Sequence, residues 1–86
     1  MNIYSFSVKK LKEIIKENFK ETEAKEGLED LPSHLLWMLE QIEVMPDLLK
    51  ASRWIGYVLA RLEAMGIVTN KQSRNLIRKD ISRHGI

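Results

Sequence analysis

The sequence predicts an all-α fold, as a small four-helix bundle or an orthogonal helical array in one domain. Apolar residues recur every three or four positions in four separate segments, which is the spacing of one helix face. Proline, glycine and helix-capping residues separate these segments. The length of 86 residues suits one domain with a thin core, so a homodimer would be a reasonable way to gain burial.

The first helix is predicted to follow Ser7, whose hydroxyl can accept a hydrogen bond from a free N–H of the first turn. Its apolar face consists of Val8, Leu11, Ile14, Ile15 and Phe19. Residues 20–29 are almost wholly polar and form the predicted mobile acidic loop, although their first part could extend the helix by two turns. Gly27 is the expected stop.

The second helix is expected to begin near Asp30, which can cap it, with Pro32 in the first turn. Leu36 and Trp37 lie off its apolar stripe. A helix that is apolar on more than one side is either central or part of an interface. The stripe itself consists of Leu31, Leu35, Met38, Leu39, Ile42 and Met45.

The third helix, residues 46–65, is the longest, and we expect the fold to be organised around it. Pro46 suits its first turn and Gly66 its end. The short connection makes the second and third helices expected antiparallel neighbours. Gly56 costs about 1 kcal/mol relative to alanine inside a helix, so another helix or a partner should pack close to it. The apolar stripe consists of Leu48, Ala51, Ile55, Val58, Leu62 and Met65.

The fourth helix, about residues 70–83, is introduced by a predicted capping box. Thr69 and Gln72 have the Thr-x-x-Gln spacing in which each side chain accepts from the backbone N–H of the other residue. Its apolar residues are few, namely Leu76, Ile77 and Ile81. Its basic residues are Lys71, Arg74, Arg78, Lys79 and Arg83.

Composition and motifs argue against enzyme chemistry and against a membrane span. Cysteine is absent, which excludes disulfides and thiolate metal sites, and no apolar run reaches the roughly 18 residues of a spanning helix. With no N-terminal signal either, a cytoplasmic protein is expected. His34 and His84 stand apart from any carboxylate pair, and there is no glycine-rich phosphate loop. We therefore predict no catalytic residues, no metal and no cofactor.

Charge is distributed unevenly along the chain. Residues 1–45 carry six lysines and nine acids, for a net −3, whereas residues 46–86 carry eight basic residues and three acids, for a net +5. The basic last helix could bind nucleic acid, although a solvated cationic face is the favoured interpretation. A helix-turn-helix that used Gly66 would bury positions 72 and 75, which are Gln72 and Asn75, so that motif does not fit.

Trp37, Arg53, Trp54 and Tyr57 are the predicted partner-binding residues. Tryptophan, tyrosine and arginine are the residue types that dominate interface energetics. Trp54 lies beside the apolar stripe of the third helix, and Arg53 and Tyr57 are four positions apart on another side. The alternative is that both tryptophans complete a thin core.

Three segments together resemble small helical proteins of tailed bacteriophages. They are HLLWMLEQIEVM (34–45), KASRWIGYVLARLEAMGIVTN (50–70) and SRNLIRKD (73–80). Within that group the chain is most similar, over about residues 31–83, to the lysis-inhibition accessory proteins of T-even-like phages, the cytoplasmic antiholins. The strongest parts are residues 34–38 and 53–56.

This resemblance implies a protein of the infected host cytoplasm, without substrate or cofactor. Such a protein binds the cytoplasmic N-terminal part of the phage holin and delays the membrane lesion. The sequence thus favours a non-enzymatic protein-interaction module, and an amphipathic helix lying in an apolar groove is one mode open to it. The alternative is a small basic nucleic-acid-binding regulator that uses the C-terminal helix.

Overall fold

The computed structural model describes residues 3–20, 22–27 and 32–83. They form four helices: α1 (Ser5–Asn18), α2 (Pro32–Glu43), α3 (Leu48–Ala64) and α4 (Asn70–Arg83). No strand occurs in the described ranges. The predicted all-α, helical-bundle fold class is therefore confirmed.

The centre of the molecule is formed by α1 and α2. The closely packed helix pairs are α1–α2, α1–α4 and α2–α3. Leu36, off the predicted stripe of α2, is only 2% exposed, so α2 is apolar on more than one side because it is central. The expectation that the longest helix organises the fold is wrong, since α3 packs mainly against α2. The largest fully buried apolar side chains are Leu11, Ile15, Leu35, Leu36, Leu39, Ile42 and Leu62.

The capping box of α4 is confirmed atom by atom. The Thr69 N–H donates to Gln72 Oε1 at 2.7 Å, and the Gln72 N–H donates to Thr69 Oγ1 at 3.1 Å. Gly66, with φ +75°, ends the turn after α3 in the left-handed conformation that favours glycine.

The start of α3 differs from the prediction by two residues. Asp47 is its N-cap and accepts from the N–H groups of Leu49 and Lys50 at 3.0 and 3.1 Å. Pro46 therefore precedes the cap and does not lie in the first turn. Leu48, a predicted member of the buried stripe, is 53% exposed because it stands in the first turn beside the exposed α2–α3 connection.

Ser7 is not an N-cap, contrary to the prediction. Helix α1 begins earlier, with Tyr4 as the cap residue, and Ser7 is fully buried inside the helix. The Ser7 N–H donates to Asp80 Oδ1 at 3.1 Å, and its hydroxyl donates to Asp80 Oδ2. A carboxylate from α4 thus satisfies the first turn of α1, where the positive end of the helix dipole stabilises it.

The segment after α1 does not extend the helix. Helix α1 ends at Asn18, with Phe19 as its C-cap, and the described residues 22–27 carry no regular structure. They lie against the start of α2, because the Lys25 N–H donates to the Ser33 carbonyl at 3.0 Å. The mobility of this acidic loop stays a prediction, and Asp30, Leu31 and His84 lie outside the described residues.

Gly56 is exposed on α3, and a Cβ added there would meet nothing within 4 Å among the described residues. The expected close packing by another helix of the same chain is therefore wrong. We expect Gly56→Ala to raise the free energy of unfolding by about 0.5–1 kcal/mol through helix propensity alone. Thermal unfolding followed by circular dichroism measures this. A lower midpoint, or a change in molecular mass by light scattering, would instead reveal a second copy packed on this face.

Candidate protein-interaction site

An open cleft between α2 and α3 brings the predicted partner-binding residues together. The ring centroids of Trp37, on α2, and Trp54, on α3, lie 5.9 Å apart with planes tilted by 38°. The cleft has a volume of about 430 Å³. It is lined by Trp37, Arg53, Trp54 and Tyr57 together with Glu26, His34 and Met38.

The helical register of α3 places three of these residues beside the cleft. Ile55 and Val58 are buried, and Trp54 and Tyr57 each precede one of them by a single position. Residues three apart share one side of a helix, so Trp54 and Tyr57 lie along the edge of the buried stripe. Arg53 is exposed at the rim.

The sequence left open whether the two tryptophans belong to the core or to a partner-binding surface, and in the structure each contributes to both. Trp37 and Trp54 are half-buried and pack against the hydrophobic core, yet both also line the cleft. One part of each indole therefore stabilises the fold while another part faces the cleft. Such a half-buried aromatic is a pre-ordered anchor, since little side-chain freedom remains to be lost on binding.

His34 supports Trp37 from one helical turn earlier. It is 8% exposed, and its Nδ1 accepts from the Gly27 N–H at 3.2 Å. Its ring stacks on Trp37 with centroids 5.4 Å apart and an angle of 26°. His34 therefore holds the indole in place and also fixes the backbone of the loop that brings Glu26 to the cleft.

The α3 side of the cleft is cationic. Lys50 Nζ lies 5.3 Å from the centroid of the Trp54 ring, a cation–π distance, and Arg53 is exposed beside it. Glu26 supplies a negative charge from the loop. A partner with an apolar anchor flanked by acidic groups would match the α3 side.

The basic residues of the last helix form a separate surface. Lys71, Arg74, Arg78 and Lys79 are exposed on α4, while the side chain of Arg83 lies outside the described part. Arg74 and Arg78 line a shallow depression with Leu59 of α3. Leu59 and Trp54 flank opposite sides of the buried stripe, so the aromatic cleft and the basic surface face different sides of α3.

Groups that would indicate other activities are not found in the described ranges. They contain no cluster of three or more histidines, acids or cysteines that could hold a metal ion. None of the four helices, as far as they are described, combines the length and the apolar character needed to cross a bilayer. Comparison with protein-family models, with curated proteins and with solved structures finds no match.

Proposed function

We propose that the protein is a non-enzymatic protein-interaction module whose binding site is the cleft between α2 and α3. The observation that supports this most directly is the convergence of Trp37 and Trp54 from two helices, with Arg53 exposed beside them. Paired aromatic residues with an arginine at the rim have the composition of a binding hot spot. The open site between two helices suits an amphipathic helix of the partner.

The more specific proposal is a phage-encoded cytoplasmic antiholin, which binds the cytoplasmic N-terminal segment of a holin and delays lysis of the host. Residues 34–38 and 53–56, which carry the strongest resemblance to T-even-like lysis-inhibition proteins, include five of the seven residues that line the cleft. The resemblance and the geometry thus converge on one surface. A homodimer that leaves this cleft open is compatible with the proposal.

Binding to a synthetic holin segment tests the proposal. The intact protein would be titrated with a peptide that spans the cytoplasmic N-terminus of a T-even-like phage holin, followed by tryptophan fluorescence and calorimetry. We expect Trp54→Ala to weaken binding by about 2 kcal/mol, roughly 30-fold, because it removes a central aromatic anchor. Far-ultraviolet circular dichroism would verify that the variant retains its helices.

Two further variants separate the site from the fold. Arg53→Glu reverses an exposed charge at the rim and should weaken binding without lowering stability. Leu49→Ala is the control, since Leu49 is on the same helix, 78% exposed and outside the cleft. Equal affinities for all three variants and the wild type would place the interaction elsewhere. If the holin peptide does not bind, nuclease-resistant capture from infected lysate would keep the module proposal and reject the antiholin.

A further inference from the structure

We infer that the outward face of α4, continued onto the start of α1, binds the phosphate backbone of nucleic acid without reading base sequence. This surface is distinct from the aromatic cleft and does not depend on the function proposed for it. Its members are Lys71, Arg74, Arg78, Lys79, Lys10 and the ring of Phe6.

The outward face of α4 carries positive charge alone. Lys71, Arg74 and Arg78 are spaced by three and four positions and are all exposed, so they form one stripe. The single acid of residues 70–83 is Asp80, which is fully buried and held by Ser7. Burial of this carboxylate removes it from the surface. Lys71, Arg74 and Arg78 have no ion-pair partner among the described residues, whereas Lys10, on the α1 part of the surface, pairs with Glu13 at 3.6 Å.

The surface continues across Phe6 onto α1. Lys79 Nζ lies 5.5 Å from the centroid of the Phe6 ring, and Lys10 Nζ lies 5.9 Å from the same centroid. The Phe6 ring therefore makes cation–π contacts with two lysines from opposite ends of the chain. Lys9, on the same exposed stretch of α1, adds a further positive charge. A polyanion that contacts this region would be attracted by the combined positive charge of these lysines.

The composition of this surface favours nucleic acid over protein or membrane. Protein interfaces are built on apolar and aromatic cores from which lysine is depleted. The depression beside Arg74 and Arg78 is lined by no aromatic ring, and its apolar residues are Leu59, which is 6% exposed, and the partly buried Ile77. On α4 the exposed large apolar side chain is Ile81, at 38%, whereas the more exposed Val44 and Leu49, at 76% and 78%, lie near the α2–α3 connection. Adsorption to a membrane surface normally includes apolar insertion. Neutralising phosphates requires only exposed lysine and arginine.

The exposure of two residues in the first half of α4 also favours recognition of the nucleic-acid backbone over recognition of bases. A helix-turn-helix would bury Gln72 and Asn75, but both are exposed. The helix therefore lacks the packing that orients a recognition helix in the major groove. Contacts to phosphates position a protein on a duplex but carry no sequence information.

The salt dependence of binding to short DNA duplexes tests the inference. The intact protein would be titrated with two fluorescent duplexes of unrelated sequence between about 50 and 200 mM salt. We expect equal affinities for both duplexes and a linear fall of the logarithm of the binding constant with that of the salt concentration. Replacing Arg74 and Arg78 by glutamine should reduce the slope by about 2, roughly 0.9 for each lost phosphate contact.

The control replaces Lys20 and Lys25 by glutamine. It removes the same net charge as the change at Arg74 and Arg78, but both lysines are exposed outside this surface. Its slope should equal that of the wild type. The slope of Trp54→Ala should do so too, once circular dichroism shows that this variant keeps its helices, because Trp54 lines the aromatic cleft and not this surface. Replacing Lys10 and Lys79 by glutamine should also reduce the slope, but by less than the arginine pair does, because Lys10 already pairs with Glu13. The inference is overturned by absence of binding at the lowest salt, by an equal loss in the Lys20 and Lys25 control, or by binding to phosphatidylserine vesicles but not to DNA.

Discussion

Replacement of Asp80 by alanine is expected to lower the free energy of unfolding by roughly 2–4 kcal/mol. The carboxylate is fully buried and accepts from both the N–H and the hydroxyl of Ser7. Its removal leaves two buried donors without an acceptor, which costs more than the net value of the hydrogen bonds. In a domain of this size each kcal/mol shifts the thermal midpoint by about 4–8 °C, so a fall of roughly 10 °C or more is expected.

A double-mutant cycle with Ser7→Ala identifies the interaction. Ser7→Ala removes the hydroxyl but keeps the backbone N–H, so it should cost about 1.5–3 kcal/mol, because one oxygen of the buried carboxylate loses its donor. The double variant should be less destabilised than the sum of the two single variants, because the hydroxyl is no longer present to be left unpaired. Asp47→Ala is a control for a carboxylate that caps its own helix at the surface, at a cost of about 1 kcal/mol. An additive cycle would contradict the contact.

The parts of the fold that could be predicted from the sequence are those that depend on residues close together in the chain, such as caps and turns. The Thr69–Gln72 box needs only its own two residues, and its bonds form as expected. Gly66 and Pro32 likewise mark the boundary of one element each. Where the nearest local signal misled, as with Pro46, a better cap stood one residue further along, in Asp47.

Contacts between residues that are far apart in the sequence could not be predicted from such local patterns. Ser7 has the residue type of an N-cap, and only the arrival of Asp80, 73 positions away, shows that it is a buried donor. The same holds for the two lysines at Phe6, which belong to halves of opposite net charge. The net charges of the two halves of the chain are correct as sums. They did not predict that lysines from both halves lie beside one aromatic ring on the folded surface.

The aromatic cleft was half predictable. Residue type alone singled out Trp37, Arg53, Trp54 and Tyr57, and the packing of α2 on α3 brings all four to one cleft. Their choice between core and interface could not be made from sequence because each indole is only half-buried. His34 carried one usable signal, since it precedes Trp37 by three positions on the same helix. Glu26 carried none, because an irregular segment places it.

Leu36, which lies off the predicted apolar stripe of the second helix, should be among the most important residues for stability. Leu36 is 2% exposed on α2, the helix that packs against both α1 and α3. We expect Leu36→Ala to cost about 2–5 kcal/mol, the transfer free energy plus that of the cavity left behind. Small domains have a total stability of roughly 5–15 kcal/mol, so such a loss could leave a substantial unfolded fraction near room temperature.

Leu49→Ala is the matched comparison, since it deletes the same atoms from a side chain that is 78% exposed. Its effect should stay within about 0.5 kcal/mol, as for other surface substitutions. Urea unfolding followed by circular dichroism measures both changes on one scale. A large difference between the two leucines would confirm that Leu36, although it lies off the predicted stripe, is part of the core. Equal and small losses would contradict its burial between α2 and the neighbouring helices.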